Sequence, residues 1–121
     1  MLGDTITVTH NAVSRVLSKI NQDNYSARYR LQTATDEFLI DVRHSTESLP
    51  KGSALQPIER HNIEFRVTTF ATATVPELVQ IYSATVRTRR GSDPAAALLA
   101  AKALTAWQTD ANLTKLIAWE S

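Results

Sequence analysis

The chain has no cysteine among its 121 residues. That excludes a disulfide framework, a thiolate metal site and a thiol nucleophile. Its three glycines form no phosphate-cradling loop, and neither a nucleophile elbow nor paired carboxylates at helical spacing appear. No apolar run approaches the roughly 20 residues that span a bilayer. Residues 1–10, MLGDTITVTH, lack the basic stretch and apolar core of a secretory signal, so the expectation is a chain made and used in a cytosol. Net charge is only +1, which argues against a surface that is basic everywhere. His10, His44 and His61 are scattered, and the last two share the apolar parity of their strands. They are read as partly buried histidines, not ligands. Nothing here supports an enzyme, and no catalytic or metal-ligating set is assigned.

What the sequence does have is alternation. In IERHNIEFRVTTF, Ile58 to Phe70, one row is His61, Ile63, Phe65, Val67 and Thr69. The other is Arg60, Asn62, Glu64, Arg66 and Thr68. Successive side chains of a strand point to opposite faces, so this is a long antiparallel strand with one dry and one wet face. Tyr25, Ala27, Tyr29 and Leu31 alternate with Ser26, Arg28, Arg30 and Gln32. Phe38, Ile40 and Val42 alternate with Leu39, Asp41 and Arg43 through Ser45. Glu77 to Arg90 places Tyr82, Ala84 and Val86 on a dry face and Ser83, Thr85, Arg87 and Arg89 on a wet one.

Thr5 to Thr9 predicts a short strand, His10-Asn11 a turn, and Val13 to Ile20 a returning strand, although the three- and four-residue spacings of Val13, Val16, Leu17 and Ile20 would also suit a short helix. Asn21 to Asn24 predicts a turn, Ser48 to Pro57 a loop, and Ala71 to Pro76 a short break. The last third is different. Ser92-Asp93-Pro94 starts a helix through PAAALLAAKALTAW, with a capping side chain followed by proline. Leu98, Leu99, Leu104 and Trp107 supply a face to lie on the sheet. Asp110 is expected to cap a second helix carrying Leu113, Leu116, Ile117 and Trp119. Strands first and helices last give an α+β fold in a single domain, with a hairpin over residues 1–22, a main sheet over 25–90 and helices over 92–121. One helical layer leaves the other sheet face bare, and a sheet edge remains to be paired.

Collected on the wet face are Arg28, Arg30, Arg43, Arg60, Arg66, Arg87 and Arg89, seven of the 13 basic residues. Asp41 and Glu64 are read as the interleaved acids. A chain near neutrality can thus present a locally basic surface. Guanidinium suits bidentate phosphate contact and base stacking, while Asn62 and Thr85 offer hydrogen bonds to bases or sugars. The alternative is a solvated sheet face with no ligand.

Several segments resemble the coat proteins of single-stranded RNA bacteriophages of levivirus type, closest to the Caulobacter RNA phage branch. They are LGDTITVT at 2–9, KINQDNY at 19–25, VRHSTES at 42–48, ERHNIEF at 59–65, VPELV at 75–79 and KLIAWES at 115–121. The resemblance implies an N-terminal hairpin, a five-stranded antiparallel sheet and two helices, paired into a homodimer with a ten-stranded sheet and interlocked helices. It implies further an icosahedral shell, commonly of triangulation number three, forming virus-like particles and assembled in the bacterial cytoplasm. The sheet would face single-stranded genomic RNA and, through an RNA hairpin, repress replicase translation. One maturation protein is an implied partner in the virion; no membrane is. Arg43, Arg60 and Asn62 fall inside matching segments, whereas Arg28, Arg30, Arg66, Thr85, Arg87 and Arg89 follow from parity. No cofactor is expected beyond a structural divalent cation between subunits, for which Asp36, Glu37 and Asp41 are the candidates. Two features depart from the family: the short Ala71–Pro76 loop, and Leu39 and Asp41 on the RNA-facing row. A dimeric RNA-binding regulator that never assembles is the alternative.

Overall fold

A computed structural model describes residues 2–120. Six strands form one antiparallel meander in the order β1-β2-β3-β4-β5-β6. They are β1 (Thr5–His10), β2 (Val13–Gln22), β3 (Ser26–Gln32), β4 (Asp36–Glu47), β5 (Ile58–Thr69) and β6 (Leu78–Arg89), followed by α1 (Pro94–Trp107) and α2 (Asp110–Ile117).

The first hairpin turns on Asn11 and Ala12, both at positive φ (51° and 61°), with His10 opposite Val13. Two left-handed central residues make the turn whose twist matches paired strands. A separate hairpin plus a five-stranded sheet would need seven strands; the chain has six because β2 serves twice. Val13 to Ser18 pair with β1, and Ser18, Lys19, Asn21 and Gln22 pair with β3, with a register shift between Lys19 and Asn21. Such an irregularity bends a strand. The hairpin accordingly curls back over the sheet, and His10 in β1 stacks edge-on to Phe38 of β4 with ring centroids 5.2 Å apart.

That curl builds the core. Leu17, Tyr29, Phe38, Ile40, Val42 and Val67 are buried, with Ile6, Val8, Ala27, Leu31 and Phe65 packed around them. Alternation chose these positions: Phe38, Ile40 and Val42 lie opposite Val67, Phe65 and Ile63 in register. The Tyr29 hydroxyl donates to the Gly3 carbonyl at 2.8 Å, tying the N-terminal segment down. In β2 the inward positions belong to Arg15, Leu17 and Lys19, whereas Val16 and Ile20 are exposed. Arg15 lies 5.0 Å over the Phe38 ring and Lys19 lies 5.7 Å over Tyr29, so each cation lids an aromatic core residue.

Several local expectations are corrected. The turn before β3 starts at Asp23, because Asn21 and Gln22 still pair with Arg28 and Ala27. Asp23 Oδ1 accepts from the backbone N–H groups of Tyr25 and Ser26, both at 2.7 Å. Tyr25 therefore precedes the strand and is exposed. Helix α1 keeps its expected bounds, with Asp93 accepting from Ala95 N at 3.0 Å and Pro94 at the first turn. Helix α2 is capped by Thr109, not Asp110, and ends before Trp119, which stands at φ 68° and 94% exposed.

The largest correction concerns what the helices cover. Neither contains a buried residue. Helix α1 runs beside β6 across a groove of about 690 Å³ lined by Tyr82, Ala84, Val86, Ala97, Ala101 and Leu104. Leu98, Leu99, Leu104 and Trp107 are each more than half exposed, so they do not lie on their own sheet.

Candidate nucleic-acid interface

Residues opposite one another in an antiparallel register share a face, so the ladder lays out the wet face in rows. Arg30, Leu39, Arg66 and Ile81 form one row, and Arg28, Asp41, Glu64 and Ser83 the next. Ser26, Arg43, Asn62 and Thr85 follow, then Ser45, Arg60 and Arg87, then Glu47, Ile58 and Arg89. All nine sequence-predicted binding residues therefore share one face.

Their electrostatic states differ. Arg28 grips Asp41 with two hydrogen bonds, Nε to Oδ1 at 2.7 Å and Nη2 to Oδ2 at 3.0 Å. The Asp41 carboxylate raises the Arg28 pKa above its ordinary value, first through that hydrogen bond and then through its charge. Arg30 reaches Glu37 at 3.3 Å and also donates to Gln32. Arg66 pairs with Glu64 at 3.1 Å, and Arg87 with Glu47 at 2.7 Å. Arg43 and Arg60 make no ion pair among the described residues, and Arg89 donates only to the neutral carbonyl of Gln56, at 2.9 Å. Glu37 and Glu47 thus join Asp41 and Glu64 on this face; alternation in β4 places them there, but the strand had to extend to Glu47 for the second to count.

The sheet face therefore divides. At the end holding Arg28, Arg30 and Arg66, three carboxylates neutralise three guanidiniums. At the other, Arg43, Arg60, Arg87 and Arg89 face Glu47 alone, an excess of three positive charges. Asn62 lies in this second half. Its Nδ2 donates to Thr85 Oγ1 at 2.8 Å and to the Ala84 carbonyl at 3.3 Å, which leaves Oδ1 to accept from a ligand.

The candidate cation ligands do not converge. Glu37 and Asp41 are held by Arg30 and Arg28, and Asp36 accepts from the Thr35 hydroxyl on the opposite parity. Among the described residues no cluster of three or more metal-ligating side chains forms. His44 and His61 lie directly opposite each other, Nδ1 to Nδ1 2.9 Å, on the dry parity; sequence alternation put them on one face but did not give the register that makes them partners. No helix is long and apolar enough to cross a membrane among the described residues.

Residues 3–89 match the protein-family model described as phage phiCb5, coat protein. The chain belongs to this family. The match covers the whole six-stranded sheet and stops where the helices begin. No curated protein matches the chain. A coat protein is a structural component of a phage capsid, consistent with the Caulobacter RNA phage resemblance in its segments. In this coat protein the short 70–77 connection is a tight turn, Thr72 N donating to the Val75 carbonyl at 2.8 Å. Of the two departing residues on the wet face, Asp41 is occupied by Arg28, and Leu39 is half-buried between the Arg30 and Arg66 positions.

Proposed function

We propose that this coat protein pairs into homodimers through the β6 edge and its C-terminal helices, closes into an icosahedral shell, and turns its arginine face toward single-stranded genomic RNA. Bare apolar surface carries the pairing. A compact chain of 13.4 kDa exposes about 6,500 Å², whereas this one exposes 9299 Å². The excess of roughly 2,800 Å² per chain is on the scale of an obligate interface. It is concentrated where β6 has an unpaired edge bearing Leu78, Val79, Ile81 and Tyr82, and where the helices carry Leu104, Trp107 and Leu116, each 48–60% exposed.

Pairing β6 with a second β6 would join two sheets into one. With the tail of β2 counted beside β3 to β6, ten strands result, and the helices of each chain reach the groove of the other. The arginine faces then become continuous on one side, and phosphate neutralisation couples RNA to shell formation without bond chemistry. Replicase repression through an RNA hairpin would use the same face, centred on Asn62 and its neighbouring arginines. In the virion the shell would also meet a maturation protein.

Size-exclusion chromatography with light scattering, before and after nuclease, tests this reading. Megadalton particles with a nucleic-acid absorbance ratio are expected. A nucleic-acid-bound dimer that never assembles would favour the regulator reading, and a lone monomer would overturn the pairing.

A further inference from the structure

Ion pairing sorts the seven arginines of the sheet face, and the unpaired ones are not scattered. Arg43 lies opposite Asn62, and Arg60 is two residues before Asn62 on β5; Arg60 lies opposite Arg87, and Arg89 is two residues beyond Arg87 on β6. Arg43, Arg60 and Arg89 are therefore diagonal neighbours on three successive strands, in steps of about 7–8 Å. They form a staircase that ends on the edge strand. Its steps are the size of the phosphate repeat in an extended single strand. Arg87 stands beside this staircase with Glu47 on its Nε and Nη2, at 3.1 and 2.7 Å.

We infer that the phosphate footprint of each chain is this three-arginine staircase, and that Glu47 withholds Arg87 from it. This rests on the RNA-binding reading above and restricts it. A guanidinium already clasped by a carboxylate presents no net charge to a polyanion, and a phosphate must displace the carboxylate to reach it. Counterion release follows the phosphates actually neutralised. Arg28 and Arg30 thus brace β3 against β4, Arg66 is held by Glu64 within β5, and Arg43, Arg60 and Arg89 hold the strand of RNA. Arg89 is oriented for this by donating one N–H to Gln56, which leaves further donors on a fully charged group.

The test is the salt dependence of binding of a short labelled oligouridylate to full-length, nuclease-treated protein, followed by fluorescence anisotropy. Three phosphates per chain give a log–log slope of about −2, and seven give about −5. Arg43→Gln and Arg60→Gln should each flatten the slope by about 0.7. The double variant Arg28→Gln/Asp41→Asn removes a pair without changing net charge and should leave the slope as it was. Glu47→Gln is the sharpest arm, because it should release Arg87, steepen the slope by about 0.7 and tighten binding at low salt. Circular dichroism and elution volume check that each variant is folded as the parent is. A slope near −5, a loss in the Arg28/Asp41 variant equal to that of Arg60→Gln, or an inert Glu47→Gln would overturn the footprint while leaving RNA binding intact. No binding at any salt would overturn both.

Discussion

Arg28 and Arg43 stand on the same sheet face, but a carboxylate within 2.7 Å of the first changes what each can do. Alternation alone assigns the two to one set; which arginine meets an acid depends on cross-strand register, which parity does not give. Asp23 shows the same dependence on local geometry. Backbone hydrogen bonds from Tyr25 and then contacts from Ser26 lower its pKa from the ordinary 3.8. The unfolded chain therefore takes up this proton at higher pH than the folded one, and stability rises with pH across that window. The contribution is fully present above about pH 4 and is lost as pH falls through the folded value. Asp23→Asn keeps an acceptor oxygen for the turn but cannot titrate, so its urea midpoint should vary less between pH 2 and 5 than the parent's; identical profiles would contradict this. Tyr29 is fully buried and its hydroxyl has a single purpose here, the bond to the Gly3 carbonyl. Tyr29→Phe should cost about 1 kcal/mol, read as a lower denaturant midpoint with an unchanged slope.

At the scale of elements, long alternating runs were the most legible part of the chain. The β5 and β6 bounds lie within one residue of those read from the sequence, and α1 agrees at both ends. Strand β2 was less legible because its inward row is Arg15, Leu17 and Lys19. Two cations on a core-facing row hide a strand's period, and their partners, the Phe38 and Tyr29 rings, become visible only once the hairpin curls over them. The same curl explains why a hairpin and a separate five-stranded sheet was one strand too many. The hairpin turn itself carries strain at a correctable place. Ala12 adopts φ 61°, a left-handed conformation that costs an L-residue with a Cβ and costs glycine nothing extra. Ala12→Gly should therefore stabilise the protein by about 0.5–1 kcal/mol despite glycine's larger unfolded-state entropy. Thermal unfolding of the two proteins side by side checks the sign.

For the whole molecule, the sequence placed the apolar residues of α1 on a helix face expected to lie on the sheet, but in the structure Leu98, Leu99, Leu104 and Trp107 are each more than half exposed. The helices bury nothing internally, and β6 ends the sheet with its apolar side chains half exposed. On the proposed pairing, a fold left so open is held by association, and its stability becomes a function of protein concentration. For a dimer that unfolds to two chains, each tenfold rise in concentration adds about 1.4 kcal/mol to the apparent stability. The denaturation midpoint of unassembled protein should shift upward accordingly, whereas a self-sufficient monomer would show one midpoint at all concentrations. Leu104→Asp separates the two further. The side chain is 59% exposed in the single chain, so a carboxylate there costs the monomer little. Buried at the interface of a dimer without a partner charge, it is penalised by several kcal/mol. The variant should elute as a monomer, unfold at a low and concentration-independent midpoint, and form no particles; a dimer of parental stability would place the interface elsewhere.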